Sequence, residues 1–154
     1  MNKHFLNKRL AHQIGIAGLV PFCVLAIACW VVNVEWLDTF LTGQMVYAVI
    51  TLSFLGGIHW GATMASGDLT ARQTARAMFW SVTPTLMAFL STMVHNYHLA
   101  LIAAGFIITY HVDKQLYQWY RLPDWFIRLR LILTCVVVAA LVLTLLGANL
   151  RALN

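Results

Sequence analysis

Residues 45–66 read MVYAVITLSFLGGIHWGATMAS, a stretch without Asp, Glu, Lys or Arg. It is long enough to cross about 30 Å of hydrocarbon as a helix, which takes about 20 largely apolar residues. Within it Ser53, Gly57, Gly61 and Ala65 recur every fourth residue, a small-residue stripe with a GxxxG at its centre. In lipid, helices associate by close packing of such residues rather than by the hydrophobic effect. On nearly the opposite side Gly56, His59 and Thr63 recur at intervals of three and four. A helix small on one side and polar on the other is expected to be surrounded by protein. This stretch therefore predicts an all-α membrane bundle.

The rest of the 154-residue chain agrees, being 61% hydrophobic and only 10% charged. A soluble domain is about 45–50% apolar and about 25% charged, so a water-soluble enzyme or a basic nucleic-acid-binding domain is excluded. Five windows predict spans within a single domain covering residues 1–154: Ile14–Val34, Met45–Ser66, Ala77–His95, Leu99–Leu116 and Leu129–Asn149. Lys3, Lys8, Arg9, Arg72, Arg76, Lys114, Arg121, Arg128 and Arg130 then fall on one side, and Arg151 alone on the other. By the positive-inside rule the N-terminus is cytoplasmic and the C-terminus outside. The net charge of +5 becomes a statement about orientation.

Aromatic residues follow the same boundaries, with Trp30, Trp36, Tyr47 and Tyr97 at the outer one and Trp80, Tyr117, Trp119, Tyr120 and Trp125 at the inner one. Leu116–Arg128 reads as an inner-surface segment, with Pro123 beginning the last helix. The first apolar run has the length of a span, so it is expected to stay uncleaved rather than act as a signal peptide. Cys23, Cys29 and Cys135 lie inside spans and read as small packing residues. The last span, rich in Leu and Val, is expected to be peripheral. The third is expected to pack through Ala77, Ser81, Thr85, Ala88 and Thr92. No nucleotide-binding, zinc-protease or CxxC motif is present, and the first reading of the chain is a non-enzymatic helical bundle.

His59 is the sharpest feature, because intramembrane ionisable residues are costly and point to function. Counted along ideal helices, His59 lies about 21 Å from the outer boundary and His111 about 18 Å, while Pro21 and Pro84 lie about 10 Å from the inner one. All four fall in one cytoplasmic-side layer. Each proline leaves a carbonyl unpaired, at Ala17 and Trp80, which Ser81, Thr83, Tyr110, an imidazole or water could satisfy. Asp113, the acidic residue near this layer, could orient an imidazole on a neighbouring helix or pair with a cation. His59, Trp60, Ser81, Tyr110, His111 and Asp113 form the candidate ligand-binding set; Pro21, Ser53, Gly56, Gly57, Gly61 and Pro84 form the kink and packing set. One reading is a satisfied polar network that fixes helix register. Another is a small cavity for a proton, ion or quinone head group, serving transport or redox chemistry. Paired histidines could also ligate haem b. At the outer side Met93, His95 and His98 offer soft and imidazole ligands for copper or zinc, or simply cap two helices. A membrane-protein partner or a homo-oligomer is compatible with the small-residue stripes.

Several strings carry a resemblance: Gly18-Leu19-Val20-Pro21-Phe22, Ser53 through Gly61 after Tyr47, Ser81-Val82-Thr83-Pro84, Ala104-Gly105-Phe106 and Leu122-Pro123-Asp124-Trp125. Over about residues 14–145 the chain resembles a family of small bacterial membrane proteins. That family is classed as a domain of unknown function (three-four-two-nine) and includes the eukaryotic transmembrane protein sixty-nine. The resemblance implies a multi-pass protein of the bacterial inner membrane and marks Pro21, Gly56, Gly57, His59, Trp60, Gly61 and Pro84 as motif positions. It implies no reaction.

Overall fold

The computed structural model describes residues 8–94 and 97–152. Among them the chain forms six helices: α1 (Lys8–Ala17), α2 (Val20–Val31), α3 (Val34–Ala65), α4 (Ala71–Met93), α5 (His98–Trp119) and α6 (Asp124–Ala152). Helices α2 to α6 close a ring, each packed on the next and α6 on α2, while α3 also touches α5 and α1 runs along α6. Phe22, Leu52, Ile102, Phe106 and Leu141 fill its centre.

The first expected span is broken. Gly18 and Leu19 form a turn between α1 and α2, and Pro21 sits in the first turn of α2, where a missing N–H costs nothing. Pro21 is therefore no interior kink. The break is satisfied by α3: the Tyr47 hydroxyl donates to the Gly18 carbonyl at 3.0 Å. Tyr47 accordingly belongs to the interior, with Phe22 edge-on at 4.9 Å, rather than to an outer aromatic belt.

No loop separates Val34 from Met45. The helix starts right after Asn33 and carries Glu35 in its first turn, where a carboxylate favours the helix dipole. The expected surface segment at Leu116–Arg128 is also absent. Helix α5 runs on to Trp119, and a tight turn leads into α6 at Asp124. Arg121 takes the left-handed conformation (φ 52°), and bonds from its N–H to Gln118 and from the Leu122 N–H to Tyr117 complete a Schellman cap.

Helix α6 is not peripheral, because Leu129, Arg130, Thr134, Val137, Ala140, Leu141 and Thr144 are buried along it. The small-residue stripes also shift. In α3 the inward side carries Leu52, Gly56, His59 and Thr63, whereas Gly57 and Gly61 would present a side chain to open space. In α4 the buried positions are Ala77, Ser81, Pro84, Ala88 and Ser91, and Thr85 is exposed. A strict spacing of four drifts about 40° per step on a helix of 3.6 residues per turn, so such a stripe leaves the contact line. A mixed spacing of three and four stays on it.

Among the described residues three stretches are long and apolar enough to cross a membrane: Lys8–Val31, Val34–Ala65 and Asp124–Arg151. Helix α4 starts at a capping box in which Thr70 and Gln73 satisfy each other's backbone N–H groups.

Candidate functional site

His59 of α3, Asp113 of α5 and Arg130 of α6 converge in the bundle. Each lies six residues from a helix end: His59 before Ala65, Asp113 before Trp119 and Arg130 after Asp124. All three ends are at the same end of the bundle, which sets the groups at one level about 9 Å in.

The Asp113 carboxylate is served on both oxygens. Its Oδ1 lies 2.6 Å from His59 Nε2, and its Oδ2 accepts from Arg130 Nη2 at 2.5 Å and Nε at 3.1 Å. His59 and Asp113 are 0% and 1% exposed, and the Arg130 side chain is 6% exposed. An ionised Asp113 facing Arg130 accepts the His59 contact, so the proton of a neutral imidazole sits on Nε2. Nδ1 is buried and has no hydrogen-bond partner among the described residues.

The surroundings are aromatic and hydroxylic. Tyr117 stacks on His59 with centroids 5.3 Å apart, and Tyr120 lies at 6.1 Å with its hydroxyl 2.7 Å from Thr63 Oγ1. Arg130 Nη1 reaches Thr134 Oγ1 at 3.5 Å, one turn further along α6. Thr109, one turn from Asp113 on α5, is fully buried with an unpartnered hydroxyl.

Beside the triad is a half-open apolar groove of about 480 Å³, within the range of small-ligand pockets. It lies between α1 and α3, with α6 behind. Ala11 and Ile14 form one side, Thr51 and Phe54 the other, and Arg130 and Thr134 the polar part of the wall. Its lining on α6 runs from Phe126 to Val137, about 16 Å. The break at Gly18 opens it, because α1 follows α6 and not α3.

Of the expected ligand set, His59 and Asp113 come together. His111 does not join them: it is exposed, its Nδ1 bonds the Ile107 carbonyl at 2.9 Å, and its ring meets Tyr110 edge-on. Two residues from Asp113 means about 200° of rotation, so equal depth placed His111 on the wrong side of α5. With the His59 Nε2 engaged and His111 facing outward, the two imidazoles do not face each other across a haem. Trp60 is 47% exposed. Ser81 bonds the Met78 carbonyl at 2.6 Å and serves the α3–α4 contact. Met93 and His98 stand at the facing ends of α4 and α5, and His95 lies outside the described residues. Among the described residues no group of three His, Cys, Asp or Glu side chains could hold a metal ion.

Sequence reasoning missed Arg130, Thr134 and Tyr117. By sequence Arg130 reads as one of the inner-surface charges. The signal was its place: it is followed by the apolar run of the last span, two turns inside a helix that begins at Pro123 and Asp124.

The chain is 31% identical over 142 residues to transmembrane protein 69 of Xenopus tropicalis, covering 90% of this chain and 54% of that protein. It is 28% identical over 142 residues to transmembrane protein 69 of Mus musculus, covering 90% and 56%. The chain thus spans about half the length of the curated relatives it matches. No solved structure matches. Residues 7–146 match the family described as protein of unknown function (DUF3429), and the chain belongs to that family.

Proposed function

We propose that this protein is a five-span inner-membrane bundle that binds a small lipid-soluble molecule and catalyses no reaction on it. The N-terminus is cytoplasmic, α1 and α2 together make the first span, and the Arg130–Asp113–His59 triad lies in the cytoplasmic leaflet. The carrying observation is the groove beside the triad, with Arg130 in its wall. A buried ion pair is a poor stabiliser compared with apolar packing, so its presence points to a role beyond cohesion. Here the triad fixes α3, α5 and α6 at one level and holds a cation against an apolar, laterally open space.

The test is purification from bacterial membranes in mild detergent, followed by extraction and mass spectrometry of bound small molecules. The wild type retains a stoichiometric lipid-soluble compound. Ala11→Trp, which fills the groove from α1, loses it, and Ile16→Trp on the exposed side of α1 keeps it. Equal content in all three sinks the reading. Reporter fusions after residues 67, 96 and 154 test the topology: the first reports cytoplasm and the other two the outside.

The unpartnered Nδ1 of His59 favours a second reading, proton handling in transport or redox chemistry. Under it, His59→Gln keeps the fold and abolishes any proton-coupled activity measured in vesicles.

A further inference from the structure

We infer that the occupant of the groove is a neutral carbonyl-bearing lipid, a quinone or an acyl ester, whose carbonyl oxygen accepts a hydrogen bond from Arg130. This rests on the binding reading above and names its ligand class. Among the described residues Arg130 is the one charged residue lining the groove, and no carboxylate lines it. The cation is already balanced: Asp113 lies behind it with one oxygen on Nη2 and Nε. A second anion in the groove would compete with Asp113 for the same guanidinium in a low-dielectric setting, so an anionic head group is disfavoured. A pure hydrocarbon would leave the cation's remaining donor capacity facing apolar surface, which is also disfavoured. A guanidinium carries five N–H donors; Asp113 and Thr134 engage Nε, Nη2 and Nη1 once each, and the Tyr117 hydroxyl is a further hydrogen-bond partner, which leaves one N–H. A neutral acceptor satisfies what is left without disturbing the ion pair.

The rest of the molecule is specified by shape. On α6 the lining beyond Arg130 runs about 10 Å to Val137 and is apolar apart from Thr134, and the polar side chains on the opposite wall are already committed. Tyr47 donates to Gly18 and Thr51 donates to the Tyr47 carbonyl. The ligand therefore has a polar carbonyl at the Arg130 end and an apolar tail at the Tyr47 end. Exposed Ile14, Ile50 and Phe54 border the opening, so the tail enters sideways from the bilayer.

The experiment measures binding of four probes to delipidated protein in micelles by native mass spectrometry: decyl-quinone, methyl laurate, laurate and n-dodecane. The expected result is binding of decyl-quinone, methyl laurate or both at least about tenfold tighter than laurate or dodecane, the factor of one hydrogen bond to a charged donor. The stronger of the two carbonyl probes identifies the source. Thr134→Val, an isosteric change that loosens Arg130 without removing it, weakens the carbonyl probes and leaves dodecane unchanged. Because Arg130 variants can lose the fold, Arg130→Lys is read only alongside its helical circular dichroism, and the probe series on the wild type decides. Equal binding of dodecane overturns the carbonyl assignment and leaves the binding reading intact. Preference for laurate overturns the argument from charge balance. Failure of all four probes, or binding unchanged in Ala11→Trp, overturns both. A wild-type dimer that Ala11→Trp converts to monomer shows that a second copy fills the groove, which also overturns both.

Discussion

A side chain added at Gly56 would run into the backbone carbonyl oxygen of Ser81, so α3 and α4 meet backbone to backbone one turn from His59. A non-bonded carbon does not fit in that space, and a backbone carbonyl cannot swing away. Gly56→Ala is expected to destabilise the bundle by about 3 kcal/mol, measured by thermal or detergent-titration unfolding in micelles. Gly57→Ala and Gly61→Ala, which meet open space, are expected to be neutral or to stabilise by up to about 1 kcal/mol through helix propensity.

The triad gives a coupled prediction. Asp113→Asn strands the Arg130 cation and Arg130→Met strands the carboxylate, each at a cost of about 3–5 kcal/mol. The double variant removes both charges, and its loss is expected to be smaller than the sum of the two by at least about 2 kcal/mol. Unfolding of the four proteins in one detergent completes the cycle. Additive losses would show that the two side chains do not interact.

His59 should separate shape from chemistry. His59→Gln keeps a donor for Asp113 Oδ1 and is expected to lose about 1 kcal/mol. His59→Ala leaves a cavity against Tyr117 and an unserved carboxylate oxygen, costing about 3 kcal/mol. Equal losses would mean that the 2.6 Å contact contributes nothing to stability.

The opposite end of the bundle is held by a clasp between α2 and α6. Arg151 donates to the carbonyls of Cys29 at 3.0 Å and Val32 at 2.5 Å, capping the end of α2, and the Trp30 indole donates to the Leu143 carbonyl at 3.1 Å. Arg151→Met is expected to cost about 1–2 kcal/mol and to speed amide exchange at residues 29–33 while leaving α3 and α5 unchanged. Uniform acceleration throughout would contradict a local clasp.

The helical character and the position of His59 were legible in the sequence because each is set by local composition and by rise per residue. Rotation about each helix axis was not. His59 and His111 share a depth but not a direction, and Gly57 and Gly61 share a GxxxG pattern that meets no neighbour among the described residues. Arg130 was legible as a charge, but only the α5–α6 pairing shows that its charge is taken by Asp113. The break at Gly18 was hidden for a different reason: Pro21 is compatible with a helix interior and a helix start, and the Tyr47 hydroxyl that settles the matter comes from another helix.

Helices α4 and α5 are absent from the three stretches apolar enough to cross a membrane by themselves. For α5 part of the reason is Asp113, and in the folded bundle that carboxylate is enclosed by Arg130 and His59. In the proposed five-span arrangement, the lipid compatibility of α5 is therefore conferred by its neighbours. Insertion of α5 is tied to the arrival of α6, the segment synthesised next, so these two helices should enter the bilayer as a hairpin. A chain truncated before Arg130 should leave α5 outside the hydrocarbon or hand it to the quality-control proteases of the membrane.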